Sequence, residues 1–169
     1  MAPLTRICLI GAESTGKSRL AEDLARNFGG VVVPEFAREY AISVARPLTE
    51  ADVEPIARGQ IANEDRAIAP FVIRDTDLIS TVVYTRYYWR ACPDWIERAA
   101  RERIADLYLW MHIDVPWLED PARDAAADRV AVHAEFERAL EEFSAKYVMI
   151  SGSWDERKAK ALAAIEQNV

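Results

Sequence analysis

The chain has 169 residues, 51% of them hydrophobic and 29% charged, a composition that suits one globular domain with one sizeable core. Its net charge of −7 argues against nucleic acid as a main partner, because phosphate backbones demand a basic surface, whereas a small phosphorylated ligand needs only a local basic pocket. No stretch approaches the ~20 apolar residues of a membrane span, no signal peptide precedes the first predicted strand, and the two cysteines, Cys8 and Cys92, form no motif, so a reducing, cytoplasmic setting is expected.

In chain order, residues 5–10 are a short apolar run of strand formers. Residues 17–28 follow as a helix, with Leu20, Ala21, Leu24, Ala25 and Phe28 at helical spacing, ended by Gly29 and Gly30. Residues 31–33 read as a buried strand, and Pro34 suits the first turn of a helix that continues to residue 44. Thr49, with Asp52 three residues on, caps a further helix to about residue 69. Beyond Pro70 come a strand at 71–75, a helix at 78–89 and, opened by Pro93, a helix from 94 to about 104. Residues 107–113 are the next strand, and a polar stretch from 116 to about 128 separates it from a helix at 131–145. A last strand at 147–150 and a helix at 155–167 complete the chain. Strands alternating with helices imply a parallel sheet covered on both faces, with ligands at the carboxyl ends of its strands.

Those ends carry the informative residues. Gly11-Ala12-Glu13-Ser14-Thr15-Gly16-Lys17-Ser18 matches the phosphate-binding loop G-x-x-x-x-G-K-[ST], in the strand–loop–helix setting that the motif requires. Gly11 and Gly16 admit backbone angles that let successive N–H groups curl around an anion. Lys17 brings a cation to the β- and γ-phosphates, and Ser18 is a candidate Mg²⁺ ligand; the loop with Arg19 forms the expected ATP site. Asp75 or Asp77 is expected to serve metal or substrate, the alternative being a helix cap, for which Asp77 is the better placed. Glu35, Arg38 and Glu39 share a helix face at the mouth of the second strand, where they form either an acceptor pocket or a surface ion-pair cluster. Arg123 and Arg129 belong to a segment at about 117–130 that is either a lid closing on the transferring phosphoryl group or an exposed loop. His112 and His133 have no ligand spacing and are assigned no role.

The glycine loop, Pro34-Glu35-Phe36-Ala37-Arg38-Glu39-Tyr40, Asp75-Thr76-Asp77, and Pro116-Trp117 with Asp120 and Arg123 together resemble the ribosylnicotinamide kinase domain of NadR-type NAD-salvage proteins over nearly the whole chain. That resemblance implies a single α/β P-loop kinase domain over 1–169, with a five-stranded parallel sheet of order 2-3-1-4-5 and helices on both faces. It also implies MgATP-dependent phosphorylation of nicotinamide riboside. In that reading Lys17 and Ser18 hold phosphate and Mg²⁺, Asp75 is the metal-site carboxylate, and Arg123 and Arg129 belong to the lid. Glu35, Phe36, Arg38, Glu39 and Asp77 line the acceptor site, with catalytic roles for Lys17, Glu35, Asp77, Arg123 and Arg129. Two alternatives stay open: a kinase for another nucleoside-like or vitamin alcohol, and a nucleotide-binding regulatory ATPase without a small acceptor. The residues are silent on oligomeric state.

Overall fold

The protein is described by a computed structural model over residues 4–116 and 128–168. Strands β1 (Thr5–Ile10), β2 (Val31–Val33), β3 (Phe71–Asp75), β4 (Leu107–Met111) and β5 (Tyr147–Ile150) form one parallel sheet in the order β2-β3-β1-β4-β5. The connecting helices are α1 (Lys17–Phe28), α2 (Phe36–Val44), α3 (Val53–Arg66), α4 (Leu78–Trp89), α5 (Asp94–Glu102), α6 (Arg129–Glu142) and α7 (Trp154–Asn168). The sheet order and the helices on both faces are those that the resemblance implied.

Alternation along β1 explains the two-sided core. Ile7 and Leu9 pack with Leu20 and Leu24 of α1 and Ile165 of α7, whereas Cys8 and Ile10 pack with Leu78 and Val82 of α4 and Phe136 of α6. A strand buried on both faces reads as an unbroken apolar run, which is why Ile7 to Ile10 carry no polar alternation. β4 behaves likewise but stops at Met111, short of the expected residue 113. Its neighbour β5 ends at Ile150, opposite Met111, so the ladder has no partner further on.

Thr49 and Asp52 cap as expected, the Asp52 carboxylate accepting the Thr49 N–H at 2.7 Å, but a 3₁₀ turn at Glu50–Asp52 precedes α3, which ends at Arg66. Asp52 also takes two hydrogen bonds from Arg46, at 2.7 and 2.9 Å, and one from the Tyr40 hydroxyl at 2.9 Å. The Arg46 guanidinium, then the Thr49 N–H, hold the Asp52 carboxyl well below the usual carboxylate range. This junction fastens the C-terminal half of α2, a helix with no fully buried residue, to the start of α3.

The other end of α2 rests on Gly59 of α3. A Cβ at Gly59 would come within 2.0 Å of the Phe36 ring. Helix propensity favours alanine over glycine by about 1 kcal/mol, but overpacking costs about 1–3 kcal/mol, so the sign reverses here. Gly59→Ala is expected to lower the melting temperature, and a thermal unfolding scan checks it.

Most of the expected lid falls outside the described residues, Arg123 included. Its last residues, Arg129 and Val130, form the first turn of α6.

Candidate active site

The glycine loop leaves β1 and enters α1 through three left-handed residues: Gly11 at φ 139°, Ser14 at 54° and Gly16 at 85°. Side chains are excluded at both glycines. A Cβ on Gly11 would meet the Met111 carbonyl at 2.8 Å, and one on Gly16 the Trp154 ring at 2.9 Å. The Thr15 hydroxyl donates to the Ala12 carbonyl at 2.9 Å, closing the turn. Lys17 is buried, its ammonium donating to the Gly11 and Ala12 carbonyls at 3.0 and 2.8 Å, and it therefore lies across the loop mouth.

β3 places Asp75 beside this loop, with Asp75 in register with Leu9. The Ser18 hydroxyl donates to Asp75 Oδ2 at 2.5 Å, while the buried Oδ1 has no hydrogen-bond partner among the described residues. An orphaned carboxylate oxygen next to a serine hydroxyl is a hard-oxygen donor pair. Such a pair, with phosphate and water completing the shell, has the donor chemistry that Mg²⁺ takes.

Asp77 is placed differently from its expected position at the substrate. It caps α4, accepting the Ile79 N–H at 2.9 Å and the Tyr108 hydroxyl at 2.6 Å, and Arg74 lies 3.9 Å away. Burial raises its carboxyl above the usual range. Both oxygens are committed inside the protein, so the helix-cap alternative prevails. Arg74 in turn pairs with buried Glu64 at 3.2 Å and donates to the Arg103 carbonyl at 2.7 Å, making a charged layer beneath the site.

Glu35 is the half-buried residue at the start of α2, with Arg38 and Glu39 exposed on the same helix. Phe36, half-buried, lays its ring against Gly59 of α3. Its N–H donates to Gln60 Oε1 at 3.1 Å, and Gln60 Nε2 reaches the Thr76 carbonyl at 3.5 Å. Gln60 therefore ties the start of α2 to the exit of β3. Arg129 opens α6, donating to the Val115 carbonyl at 3.1 Å. Its Nε and Nη2 are buried without hydrogen-bond partners among the described residues, and burial lowers its pKa from the ordinary arginine value. A half-buried guanidinium with donors to spare suits an incoming anion.

Three contributors were missed in the one-dimensional pattern. Arg157 of α7 is fully buried and donates to the Gly152 carbonyl at 2.8 Å, the His112 carbonyl at 3.1 Å and the Thr15 carbonyl at 3.5 Å, and it pairs with Asp114. An arginine in a charged terminal helix looks like a surface residue. Trp154, sandwiched between Gly16 and the Arg19 guanidinium 4.2 Å from its ring, had a weak signal as a lone tryptophan just after the last strand. Gln60 had none. His112 and His133, assigned no role, come together edge to face at 5.0 Å, and His133 stacks on Trp110 at 4.4 Å. Burial lowers the His133 pKa.

A parallel sheet in this order, with a glycine cradle, a lysine across its mouth and a serine–aspartate pair beside it, defines a P-loop nucleotide-binding protein of kinase-like architecture. The chain belongs to the AAA domain family, whose model matches residues 6–157. The trifunctional NAD biosynthesis/regulator protein NadR of Salmonella typhimurium is 24% identical over 171 residues, covering 95% of this chain and 42% of that protein. The chain thus spans less than half the length of this curated relative. A crystal structure of NadR protein in complex with NR aligns at a TM-score of 0.85 and 25% identity, over 98% of this chain and 49% of that one. Thymidylate kinase from Ehrlichia chaffeensis aligns at 0.72 and 14% identity, over 97% and 99%, a likeness of fold. The resemblance to NadR-type proteins drawn from the sequence is borne out.

Proposed function

We propose that this chain is a MgATP-dependent kinase of a small nucleoside hydroxyl, with nicotinamide riboside as its first candidate acceptor. The observation that carries the reading is the Ser18–Asp75 hydrogen bond beside the lysine-lined loop, with the second Asp75 oxygen unpartnered among the described residues. The 25% identical neighbour crystallised with NR supports the choice of acceptor.

In this reading the loop amides and Lys17 bind the triphosphate. Ser18 and Asp75 would hold Mg²⁺, which supplies charge neutralisation at the phosphates. The acceptor oxygen forms a bond to the γ-phosphorus as the bond to ADP breaks, and the hydroxyl proton leaves to a nearby carboxylate or to water. Glu35 orients that hydroxyl, with Arg38 and Glu39 flanking it, and positioning matters more than proton removal for a loose transition state. Arg129, and with it Arg123, would meet the charge on the transferring group.

ADP release measured against a panel of nucleosides tests the proposal. Nicotinamide riboside is expected to stimulate it, and a panel without any stimulation removes the kinase reading in favour of a regulatory ATPase. Glu35→Gln is expected to raise the acceptor KM about tenfold, the worth of one charge-assisted hydrogen bond, with the ATP KM within about twofold. A defect confined to ATP would show the pocket to be misassigned.

A further inference from the structure

Thr76 sits between Asp75 and the α4 cap with two unfavourable features. Its φ of 68° is left-handed, a conformation that a β-branched residue rarely adopts. Its hydroxyl is buried in a residue only 5% exposed and has no hydrogen-bond partner among the described residues. Both features cost stability, and both are avoidable. Glycine would relieve the backbone, and valine would replace the orphaned hydroxyl with a methyl group of the same shape.

The surroundings hold this strained residue in place. Its N–H donates to the Leu9 carbonyl at 2.9 Å, the last β1 residue but one before the glycine loop. Its carbonyl accepts from Gln60, the residue that also holds the first N–H of α2 beside Glu35. Thr76 is therefore fastened on one side to the phosphate cradle and on the other to the acceptor helix. Two consecutive residues thus carry buried oxygens without hydrogen-bond partners among the described residues, Asp75 Oδ1 and Thr76 Oγ1. The carboxylate suits a cation. The hydroxyl, neutral and able both to donate and to accept, suits another hydroxyl. Strain retained at a non-glycine residue in such a place marks a functional constraint.

We propose that Thr76 is a substrate-binding residue whose hydroxyl hydrogen-bonds a sugar hydroxyl of the acceptor, a polyol of ribonucleoside type, beside the metal carboxylate. The inference rests on the kinase reading above and adds a residue and a contact to it.

The test compares Thr76→Val, Thr76→Ser and Thr76→Gly in the full chain, measuring melting temperature, acceptor KM, ATP KM and Mg²⁺ dependence with nicotinamide riboside. Valine and glycine are expected to melt no lower than the wild type, yet to raise the acceptor KM about tenfold with the ATP KM within about twofold. Serine is expected to retain the wild-type acceptor KM. If no nucleoside stimulates the wild type, the kinase reading and this inference fall together. If the wild type is stimulated and valine leaves the acceptor KM unchanged, this inference alone is overturned. A valine variant whose only defect is a raised Mg²⁺ requirement also overturns it, by assigning the hydroxyl to the metal side.

Discussion

Lys17→Ala is expected to lower turnover by a factor on the order of 10³, the loss typical when a preorganised charge is removed from a site of developing anionic charge. The ammonium is already inside the loop, on the Gly11 and Ala12 carbonyls, so binding does not have to recruit it from solvent. The neutral carbonyls it bonds can be exchanged for phosphate oxygens. Lys17→Arg is expected not to rescue, because a planar guanidinium fork cannot fill a space shaped for a compact ammonium group. The separating measurement is the thermal shift on adding ATP. The wild type should be stabilised in proportion to nucleotide occupancy, and Lys17→Ala should lose most of that shift while melting near the wild-type temperature without nucleotide. An alanine variant with full turnover would contradict any P-loop assignment.

Arg157→Ala should have the largest effect on stability. The guanidinium has no solvent exposure, and it holds three carbonyls from different elements together with Asp114. Removing it leaves buried carbonyl acceptors unsatisfied at about 1–3 kcal/mol each and opens a large void, while the pair with the partly exposed Asp114 adds less. In a domain of this size about 3 kcal/mol corresponds to a fall of roughly 6–12 °C in melting temperature. Because one of the carbonyls belongs to Thr15 of the glycine loop, the ATP KM should rise as well, measured below the variant's melting transition. Asp114→Asn, which keeps hydrogen-bonding atoms near Arg157 and the Gly152 N–H, should be milder on both counts. Equal losses in the two variants would show that charge, rather than the bonds to the carbonyls, is what matters.

Much of the architecture was readable from local pattern. The strand, glycine loop and first helix are contiguous, and their chemistry depends on backbone angles that glycine permits and on neighbouring residues. The strands announced themselves as short apolar runs, although β2, expected to be buried, lies at the sheet edge with only Val33 buried, and Thr49 with Asp52 announced a cap. Boundaries slipped where pairing decided them: β4 lost its last two expected residues because β5 ended first. Spacing already made Asp77 the better cap, and the structure bears that out through Ile79 and Tyr108, while Asp75 instead meets the Ser18 hydroxyl. Phe36 was placed at the acceptor site by resemblance alone, and the structure adds that its ring lies against Gly59.

By itself the sequence determined that this protein cradles phosphate at the edge of a parallel sheet, because loop geometry and strand burial are encoded within a few neighbouring residues. Only the tertiary structure decided which carboxylate meets the Ser18 hydroxyl, which arginine is buried and what binds α2 to the exit of β3. Those contacts join residues as far apart as 57 positions for Ser18 and Asp75 and 142 for Thr15 and Arg157. Partners that distant leave no mark on local periodicity, since their meeting depends on how the whole sheet orders its strands and seats its helices.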